Sequence, residues 1–132
     1  MDHGRLTRFV SSLYQRAGVP TEDADLVADS LVQADLWGHQ SHGVLRTGWY
    51  LARLKSGAMR AVTEPRFVVD AGAVTVIDGQ DGVGQVVAKL AAQHAIQRAR
   101  LHGVASVAVR HSNHFGTCMY YTRMAEIGRA HV

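Results

Sequence analysis

The chain has 132 residues, of which 47% are hydrophobic and 19% charged, and a net charge of +3 at pH 7. That composition fits a globular domain able to bury roughly two-thirds of the surface its unfolded form exposes, and it excludes a disordered or fibrous chain. A lone cysteine, Cys118, excludes an internal disulfide framework; no apolar run approaches the roughly 18 to 20 residues of a membrane span, and the basic residues are spread rather than clustered, which argues against nucleic-acid binding.

Residues 1–10 carry no apolar stretch of signal-peptide length, so a cytoplasmic protein is expected. Leu6, Phe9, Val10, Leu13 and Tyr14 recur at helical spacing, and Gly18 with Pro20 ends that first helix. Thr21 to about Trp37 forms a second: Ala24, Val27, Ala28, Leu31 and Ala34 make one apolar stripe, Glu22 and Asp23 favour the N-terminus, and Gly38 closes it. A third helix is expected from Ser41 to about Lys55, with Gly57 as a left-handed C-cap.

After Pro65 the pattern changes. Arg66–Asp70 and Ala73–Asp78 read as short strands around a turn at Gly72. A glycine-rich loop, Gly79 to Gly84, leads into a long helix from Gln85 to His102, closed by Gly103, and then to an apolar strand from Val104 to Val109. A last helix is expected from Gly116 to Ile127 with Gly128 as its cap. The fold class is therefore α/β, with a helical part at residues 1–60 and an α/β part at residues 61–132. Only four residues follow Gly128, which reads as a fragment or a foreign tail.

Eight histidines are many for this length, and four form two close pairs, His39 with His42 and His111 with His114. On a helix starting near Ser41, His42, Arg46 and Tyr50 fall at i, i+4 and i+8 on one face. Such a face suits a small 2-oxo acid: arginine forks onto the carboxylate, and an imidazole titrating near pH 6.5 delivers a proton to the carbonyl oxygen. Ser41 is placed to orient that imidazole. The same residues also fit the exposed polar side of an amphipathic helix, and His114, in the polar turn after an apolar strand, fits either a ligand site or a capping role. Two other classes remain open, a zinc module built from the four histidines and a helical interaction module.

Asp78 to Gly84 imitates a dinucleotide-binding turn, but Val87 stands where the last glycine of that pattern belongs, no acidic residue follows about twenty positions on, and Asp78 and Asp81 would repel a pyrophosphate. The loop reads as a turn.

Taken together, three ordered motifs resemble those of the malate/L-lactate dehydrogenase family. Ala34-Asp35-Leu36-Trp37-Gly38-His39-Gln40-Ser41-His42-Gly43-Val44-Leu45-Arg46 resembles its A-D-x-x-G-x-x-S-H-G-x-x-R signature. Asp78-Gly79 through Gly84-Gln85 is similar to its D-G-x-x-G-x-G-Q turn, and Ser112-Asn113-His114-Phe115-Gly116 to its S-N-H-F-G segment. The resemblance implies a non-Rossmann α/β fold, usually a homodimer, and reversible hydride transfer between NAD or NADP and small 2-oxo, 2-hydroxy or imino acids. By position it implies that Ser41 and His42 form a charge-relay pair, that Arg46 holds the substrate carboxylate with Tyr50 beside it, and that either His42 or His114 is the acid/base. His114, Phe115, Gly116, Thr117 and Cys118 match a cofactor-contact segment, and no metal ligand is implied. Family members are much longer, and their remaining part carries the relay aspartate and most of the cofactor surface; the expectation is an N-terminal fragment, inactive alone.

Overall fold

A computed structural model describes residues 2–126. Helix α1 (His3–Arg16) starts where the Asp2 carboxylate accepts a hydrogen bond from the Arg5 N–H, a side-chain cap on one of the helix's orphan donors. Helix α2 (Thr21–Leu36) follows Pro20, carries Glu22 and Asp23 in its first turn, and buries Ala24, Val27, Ala28, Leu31 and Ala34 completely. Ala24, Val27, Ala28 and Leu31 meet Val10 and Tyr14 of α1 in the larger of two cores, to which Tyr50, Met59 and Val83 also contribute.

The third expected helix is corrected by the structure. Gln40–His42 and Val44–Arg46 are two single-turn 3-10 helices, and helix α3 proper runs only from Thr47 to Ser56. The cause lies nine residues upstream: the Asp35 carboxylate accepts from the Val44 N–H at 2.9 Å and fills the space a Cβ at Gly43 would need. Gly43 is therefore extended, at φ −88° and ψ −156°, and the α-helical period cannot pass through it. Gly57 caps α3 in the left-handed conformation, as expected.

Strands β1 (Arg66–Ala71) and β2 (Val74–Asp78) form an antiparallel hairpin, and helix α4 (Gly84–His102) crosses over to β3 (Ser106–Arg110), which pairs parallel to β2. The sheet order is β1-β2-β3. One face packs on α4 through Ile77, Val87, Leu90, Ala91 and Val107, the second core. The last helix, α5 (Met119–Glu126), starts three residues later than expected because Gly116 adopts a left-handed φ of 82°. The expected end at Ile127 and its cap at Gly128 lie outside the described residues.

Candidate active site

The parallel β2–β3 pair brings two turns together at its C-terminal end, where α/β sheets expose ligand sites. In the first, Asp78 ends β2 and accepts hydrogen bonds from the Gln80 N–H at 3.0 Å, Arg110 Nε at 2.9 Å and His111 Nδ1 at 3.0 Å. The Gln80 backbone N–H, followed by the Gln80, His111 and Arg110 contacts, holds the Asp78 carboxyl well below the usual carboxylate range. The glycine-rich loop is thus a packed turn: Gly84 lies against the carbonyls of Asn113 and His114, leaving no room for a Cβ.

Asn113, buried, closes the second turn. Its Nδ2 donates to the Asp81 and Gly82 carbonyls at 2.9 and 3.0 Å, and its Oδ1 accepts from Arg53 Nε and Nη2 at 2.9 and 2.7 Å. Both ends of the amide are satisfied, so α3, the glycine turn and the loop after β3 are tied to one side chain. Sequence spacing did not single out Arg53 or Asn113 as a pair, since 60 residues separate them.

This frame sets His114 among residues from the first 56 positions. The His42 and His114 rings stack with centroids 5.5 Å apart, and Ser41 Oγ lies 2.9 Å from His42 Nδ1, as the motif leads one to expect. Tyr50 is fully buried and its hydroxyl lies 2.6 Å from His114 Nδ1, inside the protein rather than facing the cleft. Burial pushes this phenol up to about 12. Trp49, absent from the expected set, stands edge-on to His114 at 5.7 Å. Arg46 donates from Nε to the Ser41 carbonyl at 2.6 Å, with its guanidinium 5.8 Å from the Trp49 ring centroid. Among the described residues no carboxylate pairs with Arg46. Burial first, then the charges of Arg46 and His42, lower the His114 pKa below its ordinary value.

The cleft itself, about 460 Å³, is lined by His39, Ser41, His42 and the run from His114 to Cys118. Behind Phe115 and Cys118 lies a second, mostly apolar hollow of about 560 Å³, walled by Ala88, Ala91, Val107, Val109 and Tyr121 among others. The expected site residues therefore gather at one place, although by two 3-10 turns and a distant loop instead of one helical face. The four histidines do not converge: His39 Nδ1 pairs with Thr117 Oγ1 at 3.1 Å and His111 with Asp78. Among the described residues no group of three or more His, Cys, Asp or Glu is arranged to hold a metal ion.

A family model described as malate/L-lactate dehydrogenase matches residues 1–127. The L-sulfolactate dehydrogenase of Methanocaldococcus jannaschii is 42% identical over 118 residues, covering 89% of this chain and 34% of that protein. The malate dehydrogenase of Pyrococcus abyssi is 41% identical over 120 residues, covering 91% and 33%. The solved structure of the malate dehydrogenase from Pyrococcus horikoshii superposes with a TM-score of 0.90 at 40% identity, covering 93% of this chain and 35% of that one. The chain spans about a third of the length of the relatives it matches. With the family matched over nearly all its residues and the fold shared, the chain belongs to the malate/L-lactate dehydrogenase family.

Proposed function

We propose that this chain supplies the substrate-handling site of an NAD- or NADP-dependent oxidoreductase that interconverts small 2-oxo and 2-hydroxy acids of the malate and lactate type. The observation that carries the reading is Arg46, a guanidinium with which no carboxylate among the described residues pairs, whose charge acts on His114 of the stacked His42–His114 pair that lines an open cleft. Reduction of a 2-oxo acid needs a cation for the carboxylate, a proton for the carbonyl oxygen and hydride for the carbon. Arg46 serves the first, and the Ser41–His42 pair serves the second, with the serine hydroxyl orienting the ring.

The lining from His114 to Cys118 fits part of a nicotinamide cofactor: a half-exposed aromatic ring at Phe115, a glycine at Gly116 and a buried hydroxyl at Thr117 make a surface partly apolar and partly hydrogen-bonding. When bound, that cofactor supplies or accepts the hydride. Family resemblance extends the reading to a homodimer, and the lack of a signal-peptide stretch in residues 1–10 to a cytoplasmic location. No helix among the described residues is long and apolar enough to cross a membrane.

The reading is tested by grafting. A chimera in which this chain replaces the matching third of the Pyrococcus horikoshii enzyme is expected to oxidise NADH or NADPH with oxaloacetate or pyruvate, while the chain alone does not. A folded chimera that binds reduced cofactor yet turns over neither acid contradicts it.

A further inference from the structure

Two donors converge on one nitrogen of His114. The Gly116 backbone N–H, which can only donate, points at Nδ1 from 3.2 Å, and the Tyr50 hydroxyl lies 2.6 Å from the same atom. The left-handed backbone of Gly116, at φ 82°, turns its N–H back onto the ring, a conformation glycine adopts at little cost. An amide N–H requires a lone pair at Nδ1, so the ring proton belongs on Nε2. A proton on Nδ1 would confront the Gly116 N–H directly and force the Tyr50 hydroxyl to turn round. No hydrogen bond among the described residues uses Nε2, which leaves that N–H to the cleft His114 lines.

We propose that His114 works as a neutral Nε2–H hydrogen-bond donor to the substrate oxygen, held in that tautomer by Tyr50 and Gly116, and that His42 alone exchanges the proton. The substrate part of this rests on the oxidoreductase reading above; the tautomer does not. Tyr50 is then a positioning residue that acts through His114, consistent with its complete burial. The surroundings agree. Among the described residues, the groups that face His114 are His42 on the first 3-10 turn, Arg46 on the second, Trp49 and Tyr50 on α3, and Phe115 and Gly116 on its own loop, with His39 and Cys118 in the same cleft. None is a carboxylate that would favour an imidazolium, and Arg46 opposes one.

Ring-nitrogen NMR of the histidine-labelled chain tests this without any turnover, so its failure and that of the oxidoreductase reading are separate results. With the His114 signals assigned by their loss in His114→Gln, the expected ring at neutral pH carries its proton on Nε2 and stays neutral as pH falls below the ordinary histidine range near 6.5. Tyr50→Phe keeps the ring in the core and removes one of the two donors; with the Gly116 N–H still holding the proton on Nε2, it is expected to move the titration midpoint up toward 6.5. A parent ring protonated at Nδ1, or charged at neutral pH, overturns the proposal, as does a Tyr50→Phe variant that titrates like the parent. Should that variant fail to fold, the parent spectrum decides.

Discussion

Asp78 accepts from Gln80, Arg110 and His111 at once, and the resulting depression of its pKa makes a statement about stability. Because the folded value lies below the unfolded one of about 3.9, the stabilisation is present in full above that pH and is lost as pH falls through it toward the folded value. The urea midpoint of the chain is therefore expected to drop in acid below about pH 4, where the unfolded state binds the extra proton. Asp78→Asn should be less stable at neutral pH and show a flatter acid limb. An identical pH slope in parent and variant would assign the acid sensitivity elsewhere. The consequence reaches the site, since the same carboxylate anchors the loop that leads from His111 to His114.

Among the elements, the segment between α2 and α3 breaks the helical layer and supplies Ser41, His42 and Arg46 to the candidate site. Two 3-10 turns hinge on Gly43, and the Asp35 carboxylate occupies the place of its missing side chain. Gly43→Ala must displace that carboxylate and break its bond to the Val44 N–H, so a loss of about 1 to 3 kcal/mol in urea denaturation is expected, the usual cost of forcing extra volume into a packed position. The His42 ring resonances should shift with it, because His42 directly precedes the hinge. A variant of parental stability with unmoved His42 signals would show that Asp35 yields freely.

The same segment marks where sequence reading stops. Helices α2 and α4 were legible because their signals are local: an apolar stripe, acidic residues at the start of α2, glycine after the end of each. The β1–β2 hairpin was legible from β-branched runs around Gly72. A helical period from Ser41 does not pass Gly43, because the conformation of Gly43 is set by the Asp35 carboxylate of the preceding helix, a contact that no apolar spacing encodes. Ser41, His42, Arg46 and His114 were legible as chemistry-bearing types within motifs, but Trp49 and the Arg53–Asn113 link were not. The burial of Tyr50 against His114 joins residues 64 apart, a relation that exists only once β3 and α3 are packed.

At the scale of the molecule, the chain is a helical layer and a three-stranded sheet that share α4, and the site lies where they meet. Among the described residues the sheet is covered on one face only. Val69 and Val74, on the opposite face, remain about half exposed, so the α4 face is the one that carries the packing energy of the sheet. His42 and Arg46 come from the helical layer and His114 from the loop after β3, which means the site exists only while both are docked. Asn113, Arg53 and the glycine turn perform that docking. The central claim is that this junction handles a small 2-oxo acid, with Arg46 on the carboxylate and His42 on the carbonyl. It is tested most directly by steady-state NADH or NADPH oxidation with oxaloacetate in the chimera described above, comparing His42→Ala and Arg46→Ala with the parent chimera. The account predicts that His42→Ala lowers kcat by about 100-fold or more, and that Arg46→Ala raises KM by about tenfold or more through loss of a charge-assisted contact. Folded variants that both keep the parental kcat and KM would contradict it and place the chemistry elsewhere.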